Sequence, residues 1–66
     1  MTITVNSEPR PLDPGTTIAS LLESLGLPAT DTVAEINGDI IPRARFADTP
    51  LNDGDRIELI RFVGGG

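Results

Sequence analysis

A count of the side chains able to do acid–base or nucleophilic chemistry leaves this 66-residue chain almost empty: histidine, cysteine, lysine, tyrosine and tryptophan are all missing. That removes the ready general base near neutral pH, the thiolate and the Schiff-base amine, and it leaves serine and threonine with no obvious activating partner. Ten acidic residues could still form a carboxylate dyad. Asp13, Asp39, Asp53 and Asp55, however, each adjoin glycine or proline, where a carboxylate more often accepts the backbone N–H groups of a turn. The remaining candidate is the last residue. Arg61-Phe62-Val63 passes straight into Gly64-Gly65-Gly66, which places a free carboxylate on Gly66. Three glycines have no Cβ to pack within a strand and fit a slot too narrow for other residues. We therefore read Gly66 as a reactive carboxylate presented to another protein's active site, with Gly64 and Gly65 as the thread. A frayed terminus has the same composition and is the competing reading.

Sixty-six residues make one small domain in which nearly every apolar position must contribute to the core. The 38% hydrophobic and 23% charged content is that of a globular chain. No apolar run approaches the roughly 20 residues needed to span a bilayer, so no membrane association is expected. Met1 to Val5 lacks the basic and long apolar regions of a secretory signal, and there are no cysteines to staple an extracellular miniprotein. A cytoplasmic setting is the expectation. A net charge of −5 argues against nucleic acid as a partner, because phosphate recognition needs clustered cations and only five arginines are scattered here. It suits basic partners, and it also suffices to keep a small protein soluble.

The elements that carry the tail can be taken in order. Ile3 and Val5 alternate with threonines, the period of a half-buried first strand. Asn6-Ser7-Glu8 turns the chain into Pro9 to Leu12, an extended segment poor in donors that belongs at a sheet edge. Asp13-Pro14-Gly15 is a second turn. Thr16 or Thr17 caps a helix whose Ile18, Leu21, Leu22 and Leu25 form one face, and Gly26 and Pro28 stop it. Asn37-Gly38 marks a two-residue hairpin that pairs Ile36 with Asp39 and Ala34 with Ile41. This puts Ala34, Ile36 and Ile41 on one face and Glu35 and Ile40 on the other. Arg43 to Pro50 has no clear period and is expected to be loop or a single turn, with Phe46 plugging the open end of the sheet beside Ala44. Leu51 to Asp55 leads into a last strand, Arg56 to Val63, in which Ile57 and Leu59 face the helix. Ile60 and Phe62 then either project outward as a docking patch or are turned back inward by a bulge.

The predicted order is strand, strand, helix, strand, strand, strand. It describes an α+β fold of the β-grasp type, a mixed sheet of four to five strands with strands one and five side by side and one helix across one face. Residues 1–63 form the domain and 64–66 a flexible tail.

With the capped helix Thr17 to Leu25, Asn37-Gly38 followed by Ile41-Pro42-Arg43, Leu51-Asn52-Asp53-Gly54-Asp55 before the last strand, and glycines ending at Gly66, the whole chain resembles the ThiS family. These are ubiquitin-like β-grasp sulfur carriers of thiamine biosynthesis. Phe46 stands where a larger aromatic residue is expected, and Gly64 lengthens the usual Gly-Gly ending. The resemblance implies a protein that is not an enzyme but a recycled co-substrate. A ThiF-type adenylating enzyme would use MgATP to adenylate Gly66, a persulfide donor would supply sulfur to form a thiocarboxylate, and a ThiG-type thiazole synthase would accept it. It implies no metal and no cofactor of the chain's own, reach supplied by Gly64 and Gly65, and docking through Ile60, Arg61 and Phe62. The same tail and fold also fit the small subunit of molybdopterin synthase or a ubiquitin-like modifier, and from another class a noncatalytic β-grasp binding module.

Overall fold

The structure, a computed structural model, describes residues 1–62. Alternation of β-branched residues produces strand β1, Thr2–Val5, with Ile3 and Val5 buried. Asn6 and Ser7 both take left-handed backbone conformations, at φ 50° and 71°, so the tight turn uses two residues and Glu8 already begins β2, Glu8–Pro11. β2 pairs antiparallel with β1 from Val5 opposite Glu8 to Thr2 opposite Pro11. Its prolines are tolerated because it is an exposed edge.

Helix α1, Ile18–Leu25, starts at a capping box. The Thr17 hydroxyl oxygen accepts the Ser20 N–H at 3.2 Å, and the Thr17 N–H donates to the Ser20 hydroxyl at 2.9 Å. Gly26, at φ 71°, ends it: the Leu27 N–H reaches back to the Leu22 carbonyl at 2.9 Å, the closing bond of a Schellman turn. Two turns of helix are not stable alone. The support comes from Ile18, Leu21 and Leu22, which are buried against the sheet, while Leu25 is only partly covered.

Strands β3, Thr32–Ile36, and β4, Asp39–Ile41, form the Asn37-Gly38 hairpin in the expected register, Ala34 opposite Ile41 and Ile36 opposite Asp39. The final strand β5, Arg56–Arg61, runs parallel to β1 and antiparallel to β3. The sheet order is β2-β1-β5-β3-β4, which puts β5 at the centre. One face packs on α1 through a core of Ile3, Val5, Ile18, Leu21, Leu22, Ala34, Phe46, Leu51, Ile57 and Leu59.

Two expectations are corrected. Arg43–Asp48 is a 3-10 helix of six residues rather than loop or a single turn. Within it Phe46 is buried as expected, but Ala44 is exposed and does not join it. The tighter 3-10 winding places residues three apart on one side, and Phe46 takes the inward position against the core. The last strand also ends at Arg61, so Phe62, expected within it, lies beyond it. Val63 and the proposed boundary before a tail of residues 64–66 lie outside the described residues.

Candidate functional site

The candidate reactive group read from the sequence is at the carboxyl end, so β5, the last strand before it, is the element to build from. Its pleat is regular. Five successive pairs with β3, from Ile36 opposite Ile57 to Thr32 opposite Arg61, leave no room for a bulge. Ile57 and Leu59 therefore point into the core, and Ile60 points out. Ile60 is 51% exposed, Phe62 60% and Ile40, on β4, 69%. Of the two readings of Ile60 and Phe62, the outward one holds. Arg61 is exposed as well, opposite Thr32.

Both flanks of β5 are fastened by asparagines that the sequence marks only as turn residues, Asn37 and Asn6. At the start, Asn37 donates its N–H to the Arg56 carbonyl at 2.8 Å and accepts the Arg56 N–H on Oδ1 at 2.9 Å. At the other end β1 has already finished. Asn6 takes over, with its own N–H donating to the Ile57 carbonyl at 2.9 Å, while its side chain accepts the Leu59 N–H at 2.8 Å and donates to the Leu59 carbonyl at 3.3 Å. Both residues hold left-handed φ values near 50°, a conformation asparagine tolerates better than most residues. One step past the strand, the Phe62 N–H donates to the Asp31 carbonyl at 2.7 Å. The chain is thus held in hydrogen bonds as far as Phe62. Gly64, Gly65 and Gly66, the residues expected to thread and to react, lie outside the described residues.

Several other polar side chains are occupied by structure. Asp53 accepts the Thr2 N–H at 2.7 Å, and Asp55 accepts the Asn52 N–H at 2.8 Å and an Asn37 amide proton at 3.1 Å, as carboxylates in turns were expected to do. An open groove of about 540 Å³ between β2 and α1 is lined in part by Thr16, Ser20 and Ser24. Each of these hydroxyls donates to a main-chain carbonyl, of Asp13, Thr17 and Leu21 respectively. Among the described residues no group of three or more potential metal ligands is present. Nor, among the described residues, is any helix long and apolar enough to cross a membrane.

The model of the ThiS family matches residues 3–66, nearly the whole chain. The chain belongs to the ThiS family. A crystal structure of the thiamine biosynthesis protein ThiS from Geobacter metallireducens superposes with a TM-score of 0.84 at 35% identity, each chain covered in full. The sulfur carrier protein ThiS of Thermus thermophilus is 34% identical over 62 residues, 94% of this chain and 95% of that one. A thiazole synthase of Paramagnetospirillum magneticum is 35% identical over all 66 residues, and this chain spans only 20% of that protein's length. The mixed five-stranded sheet with its single helix is accordingly the ubiquitin-like β-grasp fold of ThiS. Within that fold the ThiS match extends past the last described residue to Gly66.

Proposed function

We propose that this chain is a sulfur carrier for thiazole formation in thiamine biosynthesis, with the Gly66 carboxylate as the carrying group. The observation that supports this most directly is the family match through Gly66 in a chain that has no histidine, cysteine or lysine of its own. A carboxylate is a poor acyl donor, so a ThiF-type partner activates it. An oxygen of Gly66 attacks the α-phosphate of MgATP, pyrophosphate leaves, and an acyl-adenylate results. The terminal sulfur of a persulfide donor then attacks the acyl carbon and AMP leaves. Thiol cleavage of the acyl disulfide so formed releases the thiocarboxylate. A ThiG-type thiazole synthase takes the sulfur and returns the carboxylate. Catalysis belongs to the partners, and this chain is their co-substrate in the cytoplasm.

The body supplies position. β5 is pinned on both flanks by the two asparagines, so the chain leaves a rigid sheet rather than a loose terminus, and orientation of a reacting group is worth several powers of ten in rate. In this reading Gly64 and Gly65 pass through a slot that admits no Cβ, and exposed Ile60, Arg61 and Phe62 dock against the partner beside its entrance. The similarity of the chain to a segment of a thiazole synthase supports a thiazole-forming acceptor over other sulfur acceptors.

The test is the intact mass after incubation with a ThiF-type adenylating enzyme, MgATP and a persulfide source. The expected result is a gain equal to exchange of one oxygen for sulfur, localised to Gly66 and absent from a copy lacking that residue. No gain with a demonstrably active partner overturns the proposal.

A further inference from the structure

The outer face of the sheet carries a charge arrangement that the sulfur chemistry does not use. In the antiparallel pairing of β3 with β5, Glu35 stands directly opposite Glu58. Residues so opposed have Cβ atoms about 5 Å apart, and like charges in that relation repel. Glu35 is half-buried and Glu58 exposed. Two sides of the carboxylate pair are apolar. Ile40 on β4 is opposite Glu35, and the next outward-facing pair along β3 and β5 is Val33 with Ile60. The acid pair is therefore bracketed by Ile40 on one side and by Val33 and Ile60 on the other. Arg56, two residues before Glu58 and on the same face by the period of the strand, sets one positive charge at the rim against two negative ones.

This geometry constrains whatever covers the face. Ile40, Glu35 and Glu58 form one row across β4, β3 and β5, and Ile60 follows Glu58 on the same face of β5, so a surface that covers the whole of Ile40 to Ile60, which are 69% and 51% exposed, also covers Glu35 and abuts Glu58. Two carboxylates stripped of water without a counterion are strongly unfavourable, whereas a hydrogen-bonded cation between them offsets that penalty. We propose that the partner's docking surface is apolar and delivers one arginine or lysine side chain into the space between Glu35 and Glu58, so that this pair selects the partner by charge while Ile40, Ile60 and Phe62 supply contact area. The inference rests on the sulfur-carrier reading, the partner being the adenylating enzyme, and it adds the chemistry by which that enzyme is recognised. Guanidinium suits the site particularly well because its planar fork satisfies two carboxylates at once.

The experiment is calorimetric titration of the full chain into a ThiF-type adenylating enzyme at about 50 and about 300 mM salt, a range over which exposed charges become screened. Substituting Glu35→Gln together with Glu58→Gln is expected to weaken binding about tenfold at low salt and to flatten its salt dependence, with a melting temperature no lower than the parent's. Glu58→Arg is expected to weaken binding further while raising the melting temperature, since it satisfies Glu35 within the chain. Unchanged affinity and salt dependence in the folded double variant overturns the inference. If the parent protein is sulfur-loaded in the same preparation, only this inference falls; if the parent is neither bound nor loaded, the functional proposal falls with it.

Discussion

The Asn6 side chain brackets the main chain of Leu59, accepting its N–H at 2.8 Å and donating to its carbonyl at 3.3 Å. β1 pairs with β5 only at Thr4 and Val5, so the Asn6 amide serves as one more rung of a strand that has already turned away. The central strand keeps its hydrogen bonds on both sides as far as Leu59, next to exposed Ile60.

Loss of that bracket should be measurable. Asn6→Gly preserves the left-handed turn, since glycine accepts φ near 50° without strain, and it removes both side-chain bonds. Chemical denaturation should show a loss of about 1–3 kcal/mol, the range for leaving partly buried main-chain groups unpaired. Asn6→Ala should lose about 1 kcal/mol more, because alanine pays for the left-handed backbone as well. Equal stability of the glycine variant and the parent would show that water replaces the bracket at no cost.

The 3-10 segment offers a contrast between two neighbouring residues. Phe46 is 3% exposed within the core, and Phe46→Ala should cost about 3–5 kcal/mol, enough to unfold much of so small a domain at room temperature. Ala44 is exposed, and Ala44→Ser should change stability by no more than about 0.5 kcal/mol. Thermal melts of the two variants check both expectations, and a large effect at Ala44 would put it back in the core beside Phe46.

Local pattern carried much of the architecture. The Asn37-Gly38 turn fixed the register of β3 and β4 because a two-residue loop admits one pairing and the period of two then assigns every face. The helix was equally readable from its spacing, its cap and its glycine stop. What local pattern could not supply is instructive. Asn6-Ser7 is also a left-handed two-residue turn, but without glycine it gives a weaker signal, and composition alone extends the turn to Glu8, which the structure places in β2. Arg43–Asp48 is too short for a helical period to emerge. The facing of Glu35 and Glu58 depends on the pairing of β3 with β5, strands separated by some twenty residues, and no window of the sequence contains both. The bracket of Leu59 by Asn6 spans 53 positions and is invisible for the same reason.

The docking role proposed for Phe62 can be separated from any role in folding. It is 60% exposed and stands just beyond β5, with its N–H already satisfied by the Asp31 carbonyl. Phe62→Ala keeps that main-chain bond, so the melting temperature should be nearly that of the parent. Affinity for a ThiF-type enzyme should fall about tenfold or more, as expected for an aromatic residue near the centre of an interface. A melting temperature lowered by many degrees would instead return Phe62 to the core.

The position of the carboxylate gives the most stringent test. If Gly66 is the group that is adenylated, its carbonyl carbon must reach the α-phosphate of ATP while the body is docked, and the reach is fixed by the residues between Phe62 and Gly66. Appending one alanine after Gly66 moves the carboxylate outward by about 3.5 Å and brings a Cβ into a slot shaped for glycine. Misplacement on this scale costs about a hundredfold or more in rate, so sulfur loading followed by intact mass should be nearly abolished. Binding measured by calorimetry should change much less, because Ile60, Phe62 and the glutamate pair are untouched. Normal loading of the extended chain would show that the partner does not read the length or thinness of the tail, and the assignment of Gly64 and Gly65 as its thread would fall.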